Sequence, residues 1–225
     1  GKLNRWVRQL FFELFPSLVT DLDNRTESWR IFAAPMNVRL QSGDRFEANW
    51  VPQHERLPEP FEIAPGVVIP AGGYDFTRYR LEAQTSEHRD FAGGFTWWFG
   101  DFYGGRLDEL KTYLAWGHRL GWVSFLADWQ RFLGDLPGGA FDFTLSSLRS
   151  DFAFSQTTTL SALVQYDSSA ESLGTHLRFR WTPRPGTELV LVWNRDCRGP
   201  LDQTLGVSVL RQDKLTAKLR WTFRG

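Results

Sequence analysis

Apolar and polar residues alternate one by one along most of this chain. The clearest stretch sets Leu215, Ala217, Leu219, Trp221 and Phe223 on one parity and Thr216, Lys218, Arg220 and Thr222 on the other. Near 175–182, Thr175, Leu177, Phe179 and Trp181 oppose His176, Arg178, Arg180 and Thr182. Leu160, Ala162, Val164 and Tyr166 oppose Thr159, Ser161, Gln165 and Asp167, with Leu163 the one exception. Val123, Phe125, Ala127 and Trp129 stand against Ser124, Asp128 and Gln130, and Phe91, Phe95, Trp97 and Phe99 against Ala92, Gly94 and Thr96. Earlier, Phe32, Ala34, Met36, Val38 and Leu40 oppose Asn37, Arg39 and Gln41. A period of two belongs to strands with two unlike faces, and a helical period is nowhere comparably sustained.

The pattern predicts an all-β chain of about twelve strands, near 4–15, 28–41, 45–53, 74–86, 91–100, 107–117, 121–132, 141–154, 157–167, 174–182, 187–194 and 214–223. Many reach nine residues or more, longer than soluble sheets usually use and close to a tilted bilayer crossing. The connections between them alternate in length. Ser42-Gly43-Asp44, 87–90, Gly117 to Gly121, Ser155-Gln156 and 183–186 are short, whereas 16–27, 54–73, 101–106, 133–140, 168–173 and 195–213 are longer. Outer-membrane barrels combine short periplasmic turns with longer external loops. The expected architecture is an antiparallel up-and-down transmembrane β-barrel, one domain over 1–225, with both termini on the periplasmic side and 54–73 as a long external loop. Tryptophans fit two girdles: Trp6, Trp116, Trp122, Trp181 and Trp221 near the short-turn rim, Trp29, Trp50, Trp97, Trp129 and Trp193 near the long-loop rim. Trp98 and Trp122 carry the parity of the polar face and break the rule. The rival fold is a soluble β-sandwich, in which the apolar face would be the core.

Composition narrows the partners. With 26 basic and 26 acidic side chains the formal charge is zero, which removes the field that draws a polyanion and argues against nucleic acid. The single Cys197 excludes an intramolecular disulfide. No run of apolar residues is long enough for a helical membrane span. The chain opens Gly1-Lys2-Leu3-Asn4 without a signal-peptide pattern, as expected of a mature chain, a trimmed one, or the C-terminal piece of something longer. The terminal strand closes on Phe223, an ending typical of barrels handed to the outer-membrane assembly machinery.

Several stretches resemble one bacterial family. They are Ala34-Pro35-Met36-Asn37-Val38-Arg39-Leu40-Gln41-Ser42-Gly43-Asp44, then Trp50 to Ile63 continuing to Gly66-Val67-Val68-Ile69-Pro70, then Trp98 to Arg106, then Leu163 to Asp167, and last Leu177 to Leu189. Together they resemble the C-terminal barrel region of domain of unknown function 5916. The resemblance implies a Gram-negative outer-membrane location and an upstream carbohydrate-binding-like module of the family-nine type. It also implies that about twelve strands are a whole barrel or the C-terminal part of a larger one. It supplies no catalytic residues. Two features depart from the family: the signal peptide and upstream module are not in this sequence, and 195–213 is long and irregular before the last strand.

Catalytic and metal motifs fail on inspection. His54-Glu55 lacks a second His four residues on, and Pro58 stands there instead. Asp21-Leu22-Asp23-Asn24 begins like a calcium loop but continues with Arg25 and no glycine. The histidines His54, His88, His118 and His176 are scattered. No metal and no cofactor are expected. The polar parity of the strands supplies lumen-facing candidates: Arg78, Arg80, Glu82, Asp128, Arg178, Arg180, Lys218 and Arg220. In the Pro-rich loop 54–73, Glu55, Glu59 and Glu62 beside Val67-Val68-Ile69 are candidates for binding a cation or sugar, or for acid–base work. The reading is a non-catalytic outer-membrane barrel serving as pore, conduit or anchor, with membrane lipid and a glycan-associated module as partners. Its rivals are an outer-membrane enzyme using the loop acids and a soluble carbohydrate-binding sandwich.

Overall fold

A computed structural model describes residues 5–117, 120–199 and 209–222. Within them the protein is all-β, without helix. The strands are β1 (Val7–Thr20), β2 (Thr26–Leu40), β3 (Arg45–Leu57), β4 (Phe61–Ala64), β5 (Val67–Ile69), β6 (Gly72–Gln84) and β7 (Phe91–Phe102). They continue with β8 (Gly105–Trp116), β9 (Val123–Leu136), β10 (Gly139–Ser155), β11 (Thr158–Asp167), β12 (Ser172–Arg184), β13 (Thr187–Arg198) and β14 (Val209–Trp221). Twelve of them form one sheet in chain order, β1-β2-β3-β6 through to β14, and β4-β5 form a separate hairpin. Every pair with a resolved register is antiparallel. Among the described residues no ladder joins β1 to β14.

The strands overrun the expected boundaries, and the alternation of loop lengths disappears with them. The expected long connections 16–27, 101–106 and 133–140 shrink to 21–25, 103–104 and 137–138, all shorter than 85–90 on the other side. The reason lies in turn chemistry. Tyr103 and Gly104 both take positive φ (45° and 79°), the arrangement of a two-residue hairpin turn that lets both strands run to the tip. At 21–25, the Asp21 carboxylate accepts from the backbone N–H of Asp23 and of Arg25, closing a tight turn with Asn24 at φ 60°. Residues 54–57 belong to β3 and 72–73 to β6, so the expected loop 54–73 narrows to 58–71, starting at Pro58. The connection 199–208 lies largely outside the described residues, as do His118 and Phe223.

Contacts divide the chain into two units. The N-terminal unit comprises residues up to Arg89, Gly93–Thr112 and Arg131–Asp142; the C-terminal unit holds Asp90–Ala92, Tyr113–Gln130 and Phe143 onward. In the N-terminal unit, hairpin β4-β5 folds Ala64, Val67 and Ile69 onto Phe76, Tyr103 and Leu136, with Phe102 and Phe141 against the cluster. Glu62 accepts from the Gly66 N–H and so caps the hairpin turn, and the Tyr74 hydroxyl donates to the Pro70 carbonyl. In the C-terminal unit the expected parity holds across β11 and β12: Leu160 and Phe179 stand side by side, with Leu191 of β13 next to them, and Ser161 stands beside Arg178, whose β13 neighbour is the apolar Val192.

Candidate functional site

The N-terminal unit buries its polar face. On β3 the odd positions Arg45, Glu47, Asn49 and Val51 pair with Gln84, Glu82, Arg80 and Arg78 of β6. Glu47, Asn49, Arg78 and Glu82 are buried, and Glu47 retains only 2% of its exposure. The opposite face of the same strands shows Trp50 at 46% and Leu81 at 41% exposed, with Phe46 and Tyr79 alike. A water-soluble sheet would hide the second set and hydrate the first.

Register alone puts Glu47 directly opposite Glu82, a like-charge pair that costs stability. Two arginines resolve it. Arg45 contacts Glu47 and lies 3.7 Å from Glu82, while Arg80 lies 2.6 Å from Glu47 and 3.3 Å from Glu82. Asn49 donates to Glu47 at 2.9 Å and accepts from Arg80 at 2.7 Å; Asn37 accepts from Arg45 at 3.3 Å. Both charges of each sign are cancelled, and among the described residues no buried side-chain nitrogen or oxygen lacks a partner. Such networks tolerate burial only when fully satisfied.

Aromatic rings complete the wall. Arg30 and Arg80 each lie over Phe32 and Trp98, at 5.5 to 5.9 Å from the ring centroids. Trp98 therefore belongs to the buried polar face, with its indole ring as a platform for cations. Phe32 joins it because of a bulge. The register of β2 slips between Ala33 and Met36, so Phe32 and Ala34 share the face of Asn37 while Met36 and Val38 take the other. The expected grouping of Phe32 and Ala34 with Met36 is thereby corrected; a bulge inverts parity without any mark in the alternation itself.

Arg78 reaches farther. It pairs with Gly100 across β6-β7, and its guanidinium donates to the Leu107 carbonyl and to Glu109 at 3.0 Å, over the Phe102 ring. Gly100 sits at φ 120°, and a Cβ there would meet the Thr77 carbonyl at 2.5 Å, so only glycine fits. Lys111 is 3.6 Å from Glu109.

The expected site residues thus separate. Arg78, Arg80 and Glu82 come together, with Arg45, Glu47, Asn49 and Glu109 as partners the sequence reading missed; Glu47 at the parity of Arg45 and Asn49 was the available signal. Asp128 belongs to the C-terminal unit and accepts from Ser147, in a cleft of about 400 Å³ shared with Asp167 and Asp196. Arg180 donates to Glu188 at 2.6 Å, and Glu188 stands opposite Arg220. Arg178, Arg180, Lys218 and Arg220 are exposed, and so are Trp181 and Leu219 on the other face. The loop acids do not converge. Glu55 accepts from the Tyr103 hydroxyl, Glu62 caps its own hairpin, and Glu59 is exposed. Burial first, then the hydrogen bond to Glu55, the charge of Glu55 and the proximity of Tyr74 push the Tyr103 phenol well above its ordinary pKa. Burial raises the Asp44 carboxyl, but the Ser86 N–H, the Ser42 hydroxyl and the Arg89 guanidinium outweigh it and hold Asp44 below the usual range.

The Trp girdle also needs correction on one side. Trp50, Trp97, Trp129 and Trp193 lie at mid-strand rather than at the long-loop rim, because the strands run on past them. Two of them have defined polar partners: the Trp97 indole donates to Asp108 at 2.9 Å, and the Trp193 indole to Asp213 at 2.6 Å.

No family model matches the chain, and neither the curated proteins nor the solved structures contain a match to it.

Proposed function

We propose that the protein is a bacterial outer-membrane β-barrel, alone or as part of a longer chain, acting as an anchor or narrow conduit without chemistry of its own. The observation that carries this reading is the inverted burial of the N-terminal unit: charged side chains covered, large apolar ones exposed, on opposite faces of the same strands. In hydrocarbon that arrangement is favourable, since apolar side chains meet lipid and the backbone groups of the strands between β1 and β14 are paired on both sides within the sheet. Strands of 10 to 17 residues in the main sheet are long enough to cross a bilayer when tilted.

The indole pairs support the same reading. Trp97 with Asp108 and Trp193 with Asp213 stand where the apolar face gives way to charge, as amphipathic rings do at a lipid–water boundary. The filled polar face around Glu47 and Arg78 favours an anchor or a narrow conduit over an open porin. The resemblance to domain of unknown function 5916, with a glycan-associated partner, is part of the proposal.

Extraction tests it directly. The protein should fractionate with outer membranes, require detergent for release, and migrate faster on gels unheated than boiled. Recovery of the folded chain from the aqueous fraction without detergent would refute the reading. Planar-bilayer recording then separates anchor from pore: small or absent conductance in the intact chain favours the former.

A further inference from the structure

The turn end of the N-terminal unit gathers positive charge that its own carboxylates do not neutralise. Gln9, Arg39, Arg45 and Gln84 stand side by side across β1, β2, β3 and β6. Arg39 and Arg45 are direct cross-strand partners, an arrangement that by itself costs stability. The register of β1 slips between Val7 and Gln9, and Arg8, at that slip, lines the same cleft as Arg39, Arg45 and His88. The cleft has a volume of about 480 Å³.

The nearby acids are already committed. Glu47 and Glu82 hold Arg45 and Arg80. Asp44 accepts from the Ser86 N–H at 2.9 Å, from Ser42 at 2.8 Å and from Arg89 at 2.7 Å. Glu87 alone brings a carboxylate to the lining. Arg39 has the Phe11 ring at 5.3 Å but no ion pair to a described carboxylate, and neither has Arg8. The floor is fixed, because Gly43 is packed against Ser86 so closely that a Cβ would fall 2.6 Å from the Ser86 hydroxyl.

We infer that this cleft binds a phosphate-class oxyanion, held by the guanidinium groups of Arg8 and Arg39 beside Arg45. Planar guanidinium groups match the oxygen geometry of phosphate and bond it in pairs. Two uncompensated cations favour a dianion over a single carboxylate, since the attraction scales with the charge of the ligand. The inference stands whether or not the sheet spans a membrane. The same chemistry could come from free phosphate or from a phospholipid headgroup.

Calorimetric titration of the full chain in a non-ionic detergent distinguishes these. Inorganic phosphate should give saturable binding, weakened roughly tenfold or more in Arg39→Gln and in Arg8→Gln, the loss expected for one charge-assisted hydrogen-bonding group. Arg39→Lys should lose less, Glu87→Gln should bind tighter, and Arg220→Gln in the other unit should bind as the parent does. Short-chain phosphatidic acid binding more tightly than inorganic phosphate, with phosphatidylcholine silent, assigns the site to a headgroup; equal affinities assign it to free phosphate. Absence of saturable binding by both probes overturns the inference, and so does unchanged affinity in the folded Arg39→Gln and Arg8→Gln variants.

Discussion

Glu47 in the N-terminal unit and Glu188 in the C-terminal unit each accept from an arginine on a neighbouring strand at 2.6 Å, yet the first side chain is 1% exposed and the second 25%. Around Glu47 a second arginine, two asparagines and a sandwich of Phe32 and Trp98 exclude water. Around Glu188, Arg180 and Arg220 share its face but remain exposed. The comparison teaches that alternation decides which residues share a face, while covering that face takes additional material: around Glu47 it is the bulge in β2 that turns Phe32 inward, and the rings of Phe32 and Trp98 over Arg80.

The sharpest break of the comparison is to remove one charge from each. Glu47→Gln leaves Arg45 and Arg80 short of a buried counter-ion and should cost about 3–5 kcal/mol, whereas Glu188→Gln should cost less than about 1 kcal/mol and less still at high salt. Denaturant midpoints followed by tryptophan fluorescence would show the gap, and equal effects would dissolve the distinction between the units. Next come the apolar faces, where the units are expected to agree. In lipid bilayers Leu81→Arg and Leu219→Arg should each cost about 2–4 kcal/mol. In water both would be near neutral, since these side chains are already 41% and 66% exposed. Refolding yields into vesicles measure this.

Within the N-terminal unit, Ile69→Ala in the hairpin should cost roughly 2–3 kcal/mol through the cavity it leaves, with no counterpart cluster among the described residues of the C-terminal unit. The smallest effect is one of pH. The Tyr103 phenol, raised by burial and by Glu55, contributes stability that is complete below the ordinary tyrosine value near 10 and is lost as pH climbs toward its higher folded value. Tyr103→Phe should lack that alkaline limb, and tyrosinate absorbance should show one phenol fewer titrating early in the folded parent.

Much of the fold was legible because strand parity is a local property. Arg78, Arg80 and Glu82 were assigned to one face from their spacing, and they share it. Trp98, anomalous by parity, lies on that polar face as a platform for Arg30 and Arg80. Loop lengths were not legible, because Asp101, Arg106 and Asp135 look like loop residues yet belong to β7, β8 and β9. The bulge at 33–36 left no trace in the pattern, so Phe32 was assigned to the wrong side.

By itself the sequence determined the all-β class, the twelve-strand sheet in chain order and the side each strand residue takes over most of the chain, because the pleat allows no other arrangement at a period of two. Tertiary structure alone decided which glutamate meets which arginine, that Gly100 lets Arg78 lie across a neighbouring strand, and that Arg8 joins Arg39 in one cleft. Those contacts depend on register and bulges between segments distant in the chain, and registers differing by two residues preserve the same alternation.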